Sequence, residues 1–594
     1  AVRVTGRVTL NGEALPAATD SRGRIVLRNL ASGGTYSHQL QTSGRASFVA
    51  TVPPGEYEVS FMGNAELCTQ PDSWPCTGGI LLPSVMLTED GELPVDIKGV
   101  HVLVDVTVDG APYGSDANWA GRISFRRSDG SMGYTAQLHE ETNPGSVLIH
   151  LLAGTYEVSW RPDATMCRTE EQPAVPCNHG VLVREVEFIG GQGQGQGFGV
   201  DVPTTRVGGR VTANSVELPE VGGLRGRLNF VGDDESDYRI EAQTTGPVSY
   251  EATLIAGTYD IHWIVEPLVC DGVPPQGLPC SSGVVMRDVD LVGDETLDVD
   301  LPTVDIHGEV TINGATMADH AESRGSLYFR GDGGRTNGLR MGEDGRTGPA
   351  TYAITLLAGE YTAWWGPGAQ HCQSPGTVAP CMEAPISDPL NLTSSGTRDL
   401  PVSMVSVTGT LSLDGRPLPE TAIDPGRLSL VRVDDGGRRY SFHLDAGGQG
   451  AYTITALLPG VYDVHWHPAS ALCDSTKFSA LPCNSGPIAR GLEVQGSGDL
   501  VMDRDMSRIV ISGDVKFGGE SMPTTTEDRG DLVFELADGE STTIVALGQD
   551  NSTAFEVSLL PGDYRIIHRA NAAMCNVASP TIPCVSSVLT VCED

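Results

Sequence analysis

The chain has 594 residues, with 76 acidic against 38 basic side chains and a formal net charge of −38. Because a surface of this sign repels phosphate, nucleic acid and anionic membranes are not expected as partners. No apolar run reaches the ~18 residues that a membrane-spanning helix needs, so direct membrane insertion is not expected either. Ala1 in place of an initiator Met predicts a processed N-terminus.

One phrase recurs six times along the chain. In its second copy it reads Leu152-Ala-Gly-Thr-Tyr156-Glu-Val-Ser-Trp160. Its tyrosine returns every 99 to 103 residues, at Tyr57, Tyr156, Tyr259, Tyr361, Tyr462 and Tyr564. A period of this length is that of an ordinary domain with its own core. The sequence therefore predicts six units in a linear array, numbered 1 to 6, with boundaries at 1–97, 98–203, 204–303, 304–403, 404–506 and 507–594.

Each unit opens with an alternating stretch and a tight turn, as in Val2-Arg-Val-Thr-Gly6-Arg-Val-Thr-Leu-Asn-Gly12. Apolar residues at every second position predict a strand with one buried face. The Asn-Gly or Asp-Gly that follows is a strong hairpin signal, because both residues tolerate positive φ. A second strand is predicted at the recurring Arg-Gly-x-Leu, for example from Arg225 to Leu228.

Acidic or glycine-rich turns come next, at 232–237, 331–334 and 434–437. They lack the D-x-[DN]-x-[DN]-G spacing of calcium loops, so we interpret them as hairpin tips. Surface calcium is the alternative that this acidity leaves open. No other cofactor is expected.

The recurring phrase itself predicts a pair of strands joined by Pro-Gly or Ala-Gly. Four residues after the tyrosine stand Phe61, Trp160, Trp263, Trp365, Trp466 and His568. This even spacing places both rings on one face of a strand, where they are expected in the core. A single helical turn such as 468–473 is predicted to follow, and the unit ends in strands such as Leu297-Asp-Val-Asp-Leu301.

Twelve of the thirteen cysteines form regular pairs. The first of each pair lies 11 residues after the tyrosine, and the second lies 8 to 10 residues further, directly after a proline. The predicted disulfides are Cys68 with Cys76, Cys167 with Cys177, Cys270 with Cys280, Cys372 with Cys381, Cys473 with Cys483, and Cys575 with Cys584. Zinc would require two pairs close together or a nearby His pair. One disulfide per unit implies an oxidising compartment, so a secreted or cell-surface protein is expected.

About seven short strands per 100 residues, with frequent turns, predict an all-β chain of small antiparallel β-sandwiches. The motifs at 407–419 and 457–464 resemble the carboxypeptidase regulatory-like, transthyretin-like and Cna-B-like family. The resemblance covers the first two thirds of every unit and implies an Ig-like or transthyretin-like sandwich. It also implies roles as spacers, surface stalks, adhesin domains or starch-binding-like modules. Its isopeptide cross-links are not expected here, because the chain has only Lys98, Lys477 and Lys516, and the cysteine pair replaces them.

Motifs of catalytic chemistry are missing from the sequence. It has no H-E-x-x-H, no G-x-S-x-G and no phosphate-binding glycine loop before a helix. Histidines such as His262 and His465 lie beside the core tryptophans, where strand alternation places them on the surface. The chain is therefore expected not to be an enzyme.

The closing strand of the last unit is expected to be missing. Unit 1 closes with Leu93-Pro-Val-Asp-Ile97, whereas unit 6 stops after Val588-Leu-Thr-Val-Cys592. An unpaired edge is a template for another chain. A neighbouring subunit is expected to cover it head-to-tail, with Val2 and Val4 at the contact and Cys592 as an optional covalent tie. The alternative is that the strand is dispensable and Cys592 is free.

These patterns predict a non-enzymatic extracellular structural protein: a stiff rod of roughly 200 Å that assembles into a surface fibre, with adhesion as a further option. The competing function is a carbohydrate-binding array in which exposed aromatics stack on sugars of a glycan or cell-surface ligand. Its candidate residues are Trp74, Trp119 and Trp364, none of which recurs in the other units.

Overall fold

A computed structural model gives the fold. It describes residues 1–64, 66–67, 74–112, 121–138, 145–162, 167, 175–191, 195–233, 236–270, 275–336, 338–342, 345–373, 377–419, 425–433, 439–444, 450–473, 480–496, 498–517, 519–522, 529–537, 541–547, 553–571 and 587–589. Everything below concerns these residues. Trp119 and the cysteines at 68, 575, 584 and 592 lie outside them.

Short strands follow one another throughout the chain. Unit 1 contains β1 (Val2–Leu10), β2 (Glu13–Ala14), β3 (Arg24–Asn29), β4 (Thr35–Gln39), β5 (Ser47–Val52), β6 (Gly55–Met62), β7 (Gly79–Leu87) and β8 (Gly91–Ile97). Unit 2 contains β9 (Gly99–Val108), β10 (Ala111–Pro112), β11 (Gly121–Arg127), β12 (Tyr134–Gln137), β13 (Ser146–Leu152), β14 (Gly154–Pro162), β15 (Gly180–Phe188) and β16 (Gln196–Val202).

Units 3 and 4 repeat this order with some strands divided. Unit 3 contains β17 (Thr204–Ala213), β18 (Val216–Glu217), β19 (Gly226–Gly232), β20 (Asp237–Ala242), β21 (Val248–Ile255), β22 (Gly257–Val265), β23 (Gly283–Leu291), β24 (Glu295–Thr296) and β25 (Val299–Leu301). Unit 4 contains β26 (Thr303–Ile312), β27 (Ala315–Thr316), β28 (Gly325–Gly331), β29 (Gly334–Arg335), β30 (Leu339–Arg340), β31 (Thr351–Leu357), β32 (Gly359–Pro367), β33 (Ala384–Pro385), β34 (Leu390–Leu392), β35 (Gly396–Thr397) and β36 (Leu400–Val402).

The last two units complete the series. Unit 5 contains β37 (Val405–Leu413), β38 (Arg416–Pro417), β39 (Gly426–Arg432), β40 (Arg439–His443), β41 (Ala451–Leu457), β42 (Gly460–Pro468), β43 (Gly486–Val494), β44 (Gly498–Val501) and β45 (Arg504–Met506). Unit 6 contains β46 (Ile509–Asp514), β47 (Lys516–Phe517), β48 (Glu520–Ser521), β49 (Gly530–Leu536), β50 (Thr542–Leu547), β51 (Ala554–Leu559), β52 (Tyr564–Arg569) and β53 (Ser587–Val588). Single 3-10 turns follow the aromatic strand at Pro267–Cys270, His371–Gln373 and Ser470–Leu472, where a helical turn was predicted.

Two sheets make up unit 1, and the same plan recurs. One sheet has β1 at its centre, and the other runs in the order β4-β3-β6-β7. Along β1 the side chains alternate between buried and exposed, and the buried ones belong to a core shared by both sheets. The predicted all-β architecture of two-sheet units in sequence order is confirmed.

The opening strand of each of units 1 to 5 has a parallel partner. In unit 1, β8 runs parallel to β1, from Val4 opposite Gly91 to Leu10 opposite Ile97. The closing strand crosses from the sheet that holds β7 to the sheet that holds β1, and it arrives in the direction of β1. The same parallel pairing is made by β16, by β24 and β25, by β35 and β36, and by β44 and β45. The sequence predicted only antiparallel pairs, because alternation is the same in both kinds of sheet.

Turn residues adopt the conformations expected of them. Asn11 and Gly12, at the first hairpin, have φ of 50° and 84°. The acidic stretch at 232–237 joins β19 to β20, with Val231 opposite Asp237, so it is a hairpin tip as predicted.

An arginine that precedes the second long strand is fully buried in four units. These are Arg22, Arg225, Arg324 and Arg529, each at most 1% exposed. In unit 3 the guanidinium of Arg225 donates to the carbonyls of Leu218, Gln243 and Gly246, and so ties two loops together. Five N–H donors in a planar fork can satisfy several carbonyls at once, which accounts for the burial of this charge.

Four disulfides are present in the described residues: Cys167 with Cys177, Cys270 with Cys280, Cys372 with Cys381, and Cys473 with Cys483. Cys76 is also disulfide-bonded. In the same part of the chain there is no helix with the length and apolarity required to cross a membrane.

In unit 6, the opening strand has a single long partner among the described residues. β46 pairs with β51, from Ile509 opposite Leu559 to Asp514 opposite Ala554. No described strand lies where β8 lies beside β1. As a result Ile509 and Ile511 are only half-buried, whereas Val2 and Val4 of unit 1 are buried.

Candidate functional site

The most regular polar arrangement in the molecule lies where one unit meets the next. Each of the five junctions combines a hairpin contact, a backbone hydrogen bond and a buried side-chain contact. The junctions are numbered 1 to 5 from the N-terminus.

The first contact comes from the residue before the hairpin glycine. In junction 1 the Asn11 side chain donates to the Gly99 carbonyl at 3.1 Å and accepts from the Gly99 amide at 3.0 Å. Asn214 and Asn313 hold Thr303 and Met404 in the same way. Aspartates do so at the other two junctions, where Asp109 accepts from Thr204 and Asp414 accepts from Arg508. The residue that forms the turn therefore also fixes the start of the next unit.

The second contact is a backbone hydrogen bond from the second cysteine of one unit to a strand of the next. It is present at all five junctions, with N···O distances of 2.7 to 3.2 Å. The pairs are Cys76 with His150, Cys177 with Thr253, Cys280 with Thr355, Cys381 with Ala456, and Cys483 with Ser558. The disulfide loop is thus part of the junction as well as a cross-link within its unit.

The third contact is made by the residue directly after that cysteine. At junction 2, Asn178 is fully buried; its Nδ2 donates to the Tyr259 hydroxyl at 2.8 Å, and its Oδ1 accepts from the Ile255 amide at 2.7 Å. Thr77, Ser281 and Asn484 make the equivalent pair of contacts at junctions 1, 3 and 5. At junction 4 the Tyr462 hydroxyl contacts the Met382 sulfur at 3.2 Å.

The recurring tyrosine is held rigidly for this role. In every unit its hydroxyl donates to the carbonyl of the residue four positions earlier, at 2.5 to 2.9 Å. The tryptophan four positions later fixes the disulfide loop, since the indole of Trp160 donates to the Pro176 carbonyl at 3.1 Å. Trp365 and Trp466 bond Pro380 and Pro482 in the same manner. The predicted core aromatics are thus buried, and two of their polar atoms shape the junction.

Junction 1 also contains a buried histidine. His150 is 2% exposed, neither of its ring nitrogens has a hydrogen-bond partner among the described residues, and its ring stacks on His101 with centroids 4.1 Å apart. Burial, with a smaller contribution from the charge of His101, lowers the pKa of His150 to about 3. The imidazole is therefore neutral at ordinary pH.

Sequence reasoning did not find the side chain that follows the second cysteine. Its signal was a small polar residue at that position in four of the six units: Thr77, Asn178, Ser281 and Asn484. The partner tyrosine lies 81 residues further along in the case of Asn178, so no local periodicity links the two.

Val2 and Val4 were predicted at a contact between subunits. They lie instead in the core of unit 1, at 4% and 1% exposure, and pair with Val52 and Ala50 of β5. Both valines face their own unit, so the N-terminal segment is not a free donor strand in this structure. Cys592, the third predicted contact residue, lies outside the described residues.

The sugar-stacking prediction relied on exposed aromatics, and two of its three residues are buried. Trp74 is 4% exposed and belongs to the core of unit 1. Trp364 is 6% exposed, stacks on Tyr328, and is covered by the Arg330 guanidinium 4.1 Å from its ring centre. Neither presents an open face to a sugar ring. The described residues contain no group of three or more His, Cys, Asp or Glu side chains arranged to hold a metal ion.

The first and last units lie close together in space. Ala1 and Pro53 of unit 1 line a cavity of about 500 Å³ together with Phe517 and Val588 of unit 6. A straight rod with about 35 Å per unit would separate the centres of these units by roughly 175 Å. The units follow one another in sequence order, and the array curves until units 1 and 6 line this cavity together.

Comparison with known proteins gives no family. No protein-family model matches the chain, and no curated protein matches it. Among solved structures, the TIE protein of Bacillus anthracis is similar at 9% identity over 76% of this chain and 71% of that one, with a TM-score of 0.14. BcpA, the major pilin subunit of Bacillus cereus, is similar at 11% identity over 69% of this chain and 99% of that one, with a TM-score of 0.13. The shaft pilin spaA of Lactobacillus rhamnosus GG is similar at 7% identity over 34% of this chain and 96% of that one, with a TM-score of 0.14. TM-scores this low carry no argument about fold or function.

Proposed function

We propose that this chain is a non-enzymatic extracellular structural protein whose working element is the repeated junction. The observation that carries the proposal is the recurrence of the cysteine-to-strand hydrogen bond at all five junctions, together with a side-chain contact to the tyrosine. Free hinges between units would not require a fully buried polar side chain that satisfies two groups of the next unit. The array is therefore stiff.

An extracellular location is supported by the disulfides. Four complete bonds lie in the described residues, one in each of units 2 to 5. Such bonds persist outside the reducing cytosol. The resemblance to the carboxypeptidase regulatory-like and transthyretin-like sandwiches remains a prediction, as do the six boundaries.

Stiffness can be measured by electron microscopy of the full chain. Class averages should show one angle between consecutive units, and the double variant Asn178→Ala, Tyr259→Phe should widen the distribution at junction 2. Junction 3, left unaltered in that variant, is the internal control. Wild-type particles in which the angles vary freely at every junction would overturn the proposal.

Head-to-tail assembly into a fibre is the finer form of this function. It is supported by the edge of β46, which has no parallel partner among the described residues, because such an edge can accept a strand from another chain. Sedimentation at increasing concentration tests it. Growth of the sedimenting species into polymers would support the fibre, and a single species at every concentration would rule it out.

A further inference from the structure

The cavity shared by units 1 and 6 is lined in part by positions equivalent to those that line a cavity at junction 5. The junction 5 cavity, about 320 Å³ in volume, is lined by Pro487 on the side of unit 5 and by Leu560, Pro561 and Gly562 on the side of unit 6. In each unit, the residues four, three and two positions before the recurring tyrosine form one surface. We call this surface the acceptor face. In units 2 to 6 this face is covered by the preceding unit.

Unit 1 presents the equivalent face to unit 6. Pro53, Pro54 and Gly55 hold the acceptor positions before Tyr57, and all three line the shared cavity. On the other side, Val588 of β53 pairs with Ile567 of β52, just as Pro487 of β43 pairs with His465 of β42. The two cavities therefore join equivalent positions, although the second has no covalent connection.

The hairpin contact has a counterpart too. At junction 1 the hairpin after β1 reaches Gly99, and Ala1 is the residue of unit 1 that corresponds to Gly99. Lys516 and Phe517, at the start of the hairpin of unit 6, line the shared cavity with Ala1. The hairpin and the acceptor face thus meet here at the same relative positions as in the other junctions.

The sixth contact differs from the other junctions at its acceptor face, although polar residues such as Asn29 and Lys516 also line the shared cavity. Pro53 has no amide hydrogen, whereas Leu152, Ile255, Leu357 and Leu560 donate theirs across their junctions. Residue 585, which follows the second cysteine of unit 6, is a valine and has no polar group to offer. Pro53 therefore needs no acceptor from the facing unit.

We propose that the array closes on itself: the end of unit 6 docks on the acceptor face of unit 1 of the same chain and forms a sixth, non-covalent junction. The product is a ring of six units. In this ring the acceptor face of unit 1 is covered by unit 6. The alternative is that unit 6 docks on the acceptor face of unit 1 of another chain.

Energy transfer between fluorophores on the full chain tests the proposal. Exposed labelling positions are Thr35 in unit 1, Glu360 in unit 4 and Glu520 in unit 6, and bioorthogonal side chains there leave the cysteines untouched. With about 35 Å per unit, a ring places units 1 and 6 about 35 Å apart and units 1 and 4 about 70 Å apart. An open array reverses this order, at about 175 and 105 Å.

Closure predicts more efficient transfer for the pair in units 1 and 6 than for the pair in units 1 and 4. The reverse order would overturn the proposal while leaving the stiffness of junctions 1 to 5 untouched. A mixture of chains labelled only in unit 1 with chains labelled only in unit 6 should show no transfer. Transfer in that mixture would assign the contact to two chains and would also overturn closure.

A matched pair of variants isolates the contact surface. Val588→Asp alters a cavity residue that is 42% exposed, and Ile544→Asp alters a residue of the same unit that is 44% exposed and lies outside the cavity. Val588→Asp should reduce transfer between units 1 and 6 to the level of the mixture, and Ile544→Asp should leave it unchanged. Equal transfer in both variants and the parent chain would contradict the assignment of this surface.

Discussion

Asn178 and Tyr259 belong to different units and share a buried hydrogen bond of 2.8 Å, although 81 residues separate them. The asparagine also accepts the Ile255 amide, so one side chain satisfies two groups of the next unit. Tyr259 is therefore a core residue of its own unit that also accepts a hydrogen bond from the preceding unit.

Replacement of Asn178 by alanine should lower the free energy of unfolding by about 1 to 3 kcal/mol, because the buried Ile255 amide loses its acceptor. Asn178→Ser is the matched control, since Ser281 fills the same position at junction 3. Thermal unfolding and hydrogen exchange at Ile255 measure the effect. Equal exchange rates in the alanine and serine variants would contradict this role.

Replacement of Arg225 by alanine should destabilise unit 3 by about 3 kcal/mol, because several buried carbonyls lose a charged donor. Arg225→Lys should recover only part of this loss, since an ammonium group cannot span the same carbonyls. Urea denaturation provides the measurement, with Arg227→Lys on the neighbouring partly exposed site as control. Full stability of the Arg225→Lys variant would contradict this prediction, because a positive charge alone would then be enough to stabilise the buried carbonyls.

Acidification should weaken junction 1 through His150. The pKa of this histidine is about 3 in the folded chain and about 6.5 in the unfolded one. Below pH 6.5 the unfolded state therefore binds a proton that the folded state does not, and stability falls as the pH falls. The free energy of unfolding is therefore expected to be roughly 2 kcal/mol lower at pH 5 than at pH 8.

The control for the pH effect is supplied by the other units. Threonine occupies the position of His150 in units 3 and 4, at Thr253 and Thr355. His150→Thr should therefore reduce the loss of stability between pH 8 and pH 5 by this amount in thermal unfolding. An identical pH profile for the variant and the parent chain would assign the acid sensitivity to other groups.

Removal of the disulfide between Cys270 and Cys280 by a double change to alanine should cost unit 3 roughly 2 to 3 kcal/mol, the value for a loop of this length. Differential scanning calorimetry should show a lower transition for that unit and no shift for unit 5. Cys592→Ser is the matched control for loss of a cysteine outside the pairs. A non-reducing gel of that variant also tests the predicted tie between chains: an unchanged pattern would exclude it.

Much of each unit was predictable because its signals are local. Alternation along 2–10 specified the strand β1, and the Asn-Gly at 11 and 12 specified its turn. The disulfides predicted for units 2 to 5 are present, because nine or ten residues separate each pair and the spacing recurs. The parallel direction of β8 was not predictable, since it depends on which sheet the strand joins after β7.

The sequence by itself determined the strands and turns of each unit and the pairing of nearby cysteines, because each depends on residues within about ten positions of one another. It also predicted the number of units, because one phrase recurs every 99 to 103 residues. Only the tertiary structure decided that Asn178 bonds Tyr259, that Arg225 is buried, that Trp364 is covered, and that Pro53 faces Val588. Each of these contacts joins residues of different loops, strands or units. The contacts within a unit depend on how its loops and strands pack, the contacts between units depend on the angle at which one unit is set on another, and no periodicity in a single copy encodes either.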